Sequence, residues 1–116
     1  FWSQLKDGGH GAVRRWTERA GVDTSRLELI LLPLNVGGGT HWATGAVDLR
    51  RHGLLYFDSL GHAPPERLQP RLQEFLVGEG HRCGAEDLLG PWPLLKPDAS
   101  LGIPPLQRND SDCGVF

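Results

Sequence analysis

Leu27-Glu28-Leu29-Ile30-Leu31-Leu32-Pro33-Leu34 is a near-continuous apolar run of strand length, closed by Pro33 and by the glycine loop Gly37-Gly38-Gly39. A run bounded in this way reads as a strand buried on both faces, with a buried helix left open on periodicity alone. Behind it come two further β-compatible runs, Trp42 to Asp48 and Leu54 to Asp58, separated by Arg50-Arg51-His52-Gly53. A polar, glycine-containing break between such runs predicts an antiparallel hairpin. On the N-terminal side, Gly9 to Ala20 sets Val13, Trp16 and Ala20 at helical spacing, with Arg14, Arg15, Glu18 and Arg19 largely on the other face. Gly21 follows where a helix end takes left-handed backbone. On the C-terminal side, Pro64-Pro65 is expected to open a second helix, whose stripe is Leu68, Leu72, Phe75 and Leu76 and whose end is Gly78 and Gly80. From there to Leu106, Pro91, Pro93, Pro97, Pro104 and Pro105 predict mostly loop, with a short strand around Trp92 to Leu95. The order predicts an α+β layer architecture, a short and mostly antiparallel sheet packed by helices.

Composition narrows the function classes. The chain has 116 residues, a size at which one domain is the upper bound. Its formal charge of −2 gives no basic footprint for nucleic acid and no polybasic membrane anchor. No apolar run approaches the roughly 18 residues of a membrane span. Its 2 cysteines make no disulfide framework and, without neighbouring Cys/His pairs, no zinc site. Phe1 stands where an initiator Met would, and the chain closes on Val115-Phe116, so it is expected to be a piece of an intracellular domain.

The chemistry concentrates in a few places. Cys113, in Asn109-Asp110-Ser111-Asp112-Cys113-Gly114, has two readings. One is a buried structural cysteine, and the other is a thiol delivered to the start of a helix, where the dipole favours the thiolate. His41, at the mouth of a predicted strand, is a surface histidine or a base within reach of that thiol. Asp58 ends the next strand, on the return of the hairpin, and could hold the imidazole tautomer. If Leu49 pairs with Leu54, however, Asp58 falls opposite Gly45, not His41, and Asp48 is the rival carboxylate at the turn end. Gln107 is a loop amide bonded to water or an oxyanion donor. Trp42 is a core residue or the wall of a substrate channel. His10, His52, His62 and His81 read as ordinary surface or turn histidines, and Cys83 as structural or surface.

Taken together, His41-Trp42, Tyr56-Phe57-Asp58-Ser59-Leu60-Gly61 and Gln107 to Phe116 resemble the ubiquitin-like-protein-specific cysteine proteases, the SUMO (sentrin) proteases. Phe1 to Lys6 and Ala12 to Thr17 extend the likeness over nearly the whole chain. The resemblance implies a papain-like α+β cysteine-protease domain that matures SUMO precursors and cleaves SUMO from lysine. It implies Cys113 as nucleophile, His41 as general base, Asp58 (not Asp48) as orienting acid, and Gln107 as oxyanion donor. Trp42 would line the tunnel around the Gly-Gly tail, which only glycines leave room to close. It implies no cofactor, SUMO or a related modifier and its conjugates as partner, a monomer, and the nucleus or cytoplasm as compartment.

The same resemblance makes residues 1–116 a partial domain. The family's earlier segment, with a second tunnel Trp, and its helix after the cysteine lie outside it, so this stretch alone is expected to be weakly stable and inactive, within a parent protein that is active. The small residues Ala43-Thr44-Gly45 are expected to loosen packing beneath His41. Two other readings accompany the first: a protease for another modifier such as NEDD8 or an acetyl-transferring relative with the same triad, and an inactive module that docks SUMO without cutting it.

Overall fold

The computed structural model describes residues 1–38 and 40–96. It runs α1 (Trp2–Gly8), α2 (His10–Ala20), a 3-10 turn (Thr24–Arg26), β1 (Leu29–Val36), β2 (His41–Asp48), β3 (Gly53–Phe57), α3 (Leu68–Cys83) and a second 3-10 turn (Glu86–Leu89). The strands form one antiparallel sheet in the order β1-β2-β3.

Alternation along β1 and β2 decides which side chains go inward. Leu32, Leu34, Val47 and Leu54 enter a single core with Trp2 and Leu5 of α1, Val13 of α2 and the whole predicted stripe of α3, Leu68, Leu72, Phe75 and Leu76. Leu29 and Leu31 of β1 remain 51% and 64% exposed. The strand is therefore not buried on both faces, as its apolar run suggested: its even-numbered side packs into the core and its odd-numbered side does not. Leu34 lies over Gly45, so the small residues after His41 leave no void there.

The helices also depart from expectation in instructive ways. The first predicted helix is present, ending on left-handed Gly21 (φ 65°), but it is preceded by the separate α1 and buries only Val13 of its apolar face. Trp16 is half exposed and meets Phe1 edge-on at 5.6 Å. The last helix starts at Leu68, not at Pro64-Pro65, and Pro70 occupies its first turn, where no intrahelical N–H is needed. It does not stop at Gly78 and Gly80 but runs to Cys83, because tertiary contact overrides the weak glycine propensity. A Cβ on Gly78 would overlap the His10 ring, and one on Gly80 would meet the Ala85 carbonyl at 2.9 Å.

Near Trp92 to Leu95 the chain makes a single parallel bridge, not a strand. Leu54 N donates to Pro93 O at 2.8 Å, and Leu95 N donates to Leu54 O at 2.7 Å.

A buried polar cluster ties the helices together. Glu79 of α3 has a fully buried side chain and accepts from Thr24 Oγ1 at 2.7 Å and from Arg82 at 2.9 and 3.0 Å, while His10 Nε2 lies 3.0 Å away. Arg82 also caps the Val22 carbonyl at 2.7 Å. Burial pushes the Glu79 carboxyl up, but the hydrogen bonds from Arg82 and then Thr17, His10 and Thr24 outweigh it and hold the pKa at about 2.

Candidate active site

The turn between β2 and β3 sets the geometry of the site. Asp48 Oδ1 accepts from the backbone N–H of Arg50 at 3.1 Å and of Arg51 at 3.0 Å, an Asx turn that closes the loop on an Asp48–Gly53 pair. His52 takes the left-handed conformation (φ 57°) needed to finish it. With that register Thr44 faces Phe57, not Ser59 as a Leu49–Leu54 pairing would require. Continued one step, it sets Asp58 across from Ala43 and diagonal to His41 on the same face. Diagonal neighbours in an antiparallel pair are about 7–8 Å apart, a span that a histidine and an aspartate can close.

They do close it. His41 Nε2 lies 2.6 Å from Asp58 Oδ1, with side chains only 9% and 1% exposed. The same Oδ1 accepts the Leu60 N–H at 2.8 Å, and Gly61 N donates to the Asp58 carbonyl at 2.8 Å, so the carboxylate is fixed by the turn that follows it. Burial acts to raise the Asp58 pKa, but the His41 and Leu60 hydrogen bonds and the nearby imidazoles hold it below the usual carboxylate value. An ionised carboxylate only accepts, so the ring proton sits on Nε2 and Nδ1 is the basic nitrogen of neutral His41.

Two further groups face Asp58 Oδ2. Tyr56 Oη donates to it at a long 3.4 Å, and burial, followed by the Asp58 charge, pushes the phenol up to about 12, so it stays protonated. His62 Nδ1 lies 3.6 Å away, and its ring centroid is 6.1 Å from that of His41. His41, Asp58, Tyr56 and His62 line a cleft of about 410 Å³ together with Val36 and Thr40.

The other expected site residues are placed as follows. Trp42, next along β2, points to the opposite face from His41 and is 45% exposed. Asp48 is spent on the turn and on Arg51 at 3.6 Å, at the far end of the hairpin. Gln107 and Cys113 lie outside the described residues. Sequence reasoning passed over Tyr56 and His62 as site residues. The spacing of His62 four residues after Asp58, across a Gly61 turn, was the available signal. Among the described residues no group of 3 or more His, Cys, Asp or Glu is placed to hold a metal ion, and no helix is long and apolar enough to cross a membrane.

The arrangement is an imidazole held by a buried carboxylate at the rim of a cleft. Solved structures share the fold. Those of the SUMO protease Ulp1 with its catalytic cysteine oxidized to a sulfonic acid superpose with a TM-score of 0.78 at 30% identity, covering 99% of this chain and 50% of that one. The C-terminal Ulp1 protease domain in complex with Smt3, the yeast ortholog of SUMO, gives 0.79 at 27% identity, over 99% and 49%. The fold is thus the papain-like α+β fold that the resemblance implied.

The sequence model of the Ulp1 protease family, C-terminal catalytic domain, matches residues 1–116, and the chain belongs to that family. It is 37% identical over 119 aligned residues to sentrin-specific protease 2 of Homo sapiens and 30% identical to ubiquitin-like-specific protease 1 of Saccharomyces cerevisiae. The match takes in all of this chain but only 19% and 18% of the length of those two relatives, so the chain spans about a fifth of the proteins it matches.

Proposed function

We propose that this chain carries the working residues of a cysteine protease that cuts at the Gly-Gly C-terminus of SUMO, both in precursors and in lysine conjugates. The observation that carries the reading is the buried His41–Asp58 pair, fixed in one tautomer at a cleft, in a chain matched end to end by a protease family. Relatives named as sentrin-specific proteases, and one held in complex with Smt3, supply the substrate class.

In this mechanism His41 Nδ1 takes the Cys113 proton, and the thiolate attacks the carbonyl carbon of the terminal glycine. The oxyanion so formed is held by the Gln107 side-chain N–H and the Cys113 backbone N–H. Collapse breaks the C–N bond, His41 returns its proton to the leaving amine, and a thioester remains. Water, deprotonated by His41, then attacks the thioester carbonyl and releases the SUMO carboxylate and the thiol. Asp58 keeps the proton on Nε2 and stabilises the imidazolium in both halves. Trp42, exposed beside His41, forms a wall for the extended Gly-Gly tail. The protein acts as a monomer inside the cell, in the nucleus or cytoplasm, with no cofactor.

The test is labelling of the intact protein with a SUMO probe bearing a C-terminal thiol-reactive warhead, with Cys113→Ala as control. Labelling that disappears in the variant is the expected result. Binding of SUMO without labelling would replace protease by docking module, and labelling by a NEDD8 probe alone would replace the substrate.

A further inference from the structure

We propose that Lys6 is a specificity residue for the modifier: its ammonium binds an acidic side chain a few positions upstream of the Gly-Gly end, in a pocket that adjoins the tail channel. The proposal rests on the reading of the chain as a Gly-Gly-directed protease and of Trp42 as a wall of that channel.

The pocket, of about 400 Å³, lies between α1 and the end of β1. Trp2, Ser3 and Lys6 of α1 line one side. Lys6 follows Trp2 by four residues and Ser3 by three, so the three share a helix face. Asn35 and Val36 line the other side. Val36 and Pro65 also line the His41 cleft, so the two cavities adjoin. The strand register relates the pocket to the path of the substrate. Val36 pairs with His41, and Asn35 pairs with Trp42. Directly opposed residues lie about 4.5–5.5 Å apart, so the pocket begins one strand away from both the base and the tail wall. Asn35 shares the sheet face of Trp42, which sets the pocket on the side from which the tail arrives.

The charge at this pocket is single and unanswered. Lys6 is half-buried, and among the described residues it has no carboxylate partner, while no Asp or Glu lines the pocket. Its place in the last turn of α1 suits the helix dipole, which accounts for a cation at that end of the helix but not for a cavity beside it. A half-buried ammonium has given up part of its hydration, and a carboxylate entering the pocket replaces it with a charge-assisted hydrogen bond. A basic side chain at the same place is repelled, so the pocket discriminates by sign. An extended chain advances about 3.3 Å per residue, so an acidic residue about three to five positions before the scissile bond spans the offset from His41 to the pocket.

The test uses the intact protein and SUMO C-terminal substrates in which Glu, Gln or Lys is scanned through the positions preceding the Gly-Gly end. Wild type is expected to prefer Glu to Lys by about 3–10-fold in kcat/KM at one of them, expressed in KM with kcat little changed. Lys6→Gln should flatten that preference, Lys6→Arg should retain it and Lys6→Glu should reverse it. The preference is a ratio taken within each variant, so a partial loss of folded protein leaves it unmoved. No position at which wild type prefers Glu, or a preference that survives Lys6→Gln, would overturn the proposal. If wild type cleaves none of the substrates, the protease reading fails by itself. The same Glu-over-Lys order in Kd for these SUMO variants, lost in Lys6→Gln, would then uphold the subsite, and its absence would overturn that too.

Discussion

Asp58 is diagonal to His41, not opposite it, and one of its oxygens serves two masters. Oδ1 accepts both the His41 ring N–H, at 2.6 Å, and the Leu60 backbone N–H, at 2.8 Å. The backbone contact fixes the oxygen that faces the imidazole.

Because Leu60 N–H demands an acceptor, an asparagine at 58 is expected to keep its carbonyl oxygen toward His41 and its NH2 toward Tyr56 and His62. Asp58→Asn then loses the charge but keeps the tautomer, whereas Asp58→Ala loses both. In kcat/KM for a SUMO C-terminal substrate, Ala is expected to fall by about 10³–10⁴ and Asn by at least tenfold less than that. Equal losses in the two variants would show that Leu60 does not orient the amide.

Acid should loosen the helical side of the molecule through Glu79. Its folded pKa, about 2, is depressed below the ordinary carboxylate value of 4.5, so its contribution is fully present above pH 4.5 and is lost as pH falls toward 2. Full loss corresponds to about 3 kcal/mol. Asp58, also depressed, works in the same direction over the acid range. Denaturant midpoints of the intact protein should decline steeply from pH 4.5 downward, and Glu79→Gln should flatten that decline while costing about 3 kcal/mol at pH 7 by stranding Arg82. A slope unchanged by Glu79→Gln would remove Glu79 from the account.

What the sequence revealed and what it hid divide along physical lines. The stripe Leu68, Leu72, Phe75 and Leu76 is set by local periodicity and is buried as expected. The Gly21 helix end is likewise a local matter, decided by backbone freedom at one residue. The register of the β2–β3 hairpin was not visible, because it hangs on Asp48 accepting from Arg50 and Arg51 and on a left-handed His52, a non-glycine in a glycine conformation. The His41–Asp58 contact depends on that register, so the two residue types could be named without the distance between them being derivable. The role of Leu29 and Leu31 was hidden for another reason: an apolar run does not say whether one face of its strand is covered or both.

Gly78 should resist the substitution that helix propensity recommends. Ala is about 1 kcal/mol better than Gly in a helix interior. At this position, however, the added methyl enters the space of the His10 ring, which is itself held by Glu79. Gly78→Ala is expected to destabilise by about 1–3 kcal/mol, the usual cost of overpacking. In a double-mutant cycle with His10→Ala, the pair should be less destabilised than the sum of the singles, since the clash is removed along with the ring. Strict additivity in urea unfolding would mean that the helix shifts without touching His10.

Trp42 should separate stability from turnover. It stands next to the buried His41 but on the opposite side of β2, 45% exposed and across from Asn35. Truncating a half-exposed side chain at this position removes little core contact, so Trp42→Ala should shift the unfolding free energy by no more than about 1 kcal/mol. As a wall for an extended Gly-Gly tail it would contribute to holding the scissile bond against the nucleophile, and misplacement of a substrate by about 1 Å can cost on the order of 10² in rate. The expected pattern is a loss of that order in kcat/KM with a near-native melting curve, and with Trp42→Phe recovering part of the activity because an aromatic face is restored. Activity lost only in parallel with stability would instead make Trp42 a packing residue, and the wall of the tail-binding channel would have to be sought elsewhere around the His41 cleft.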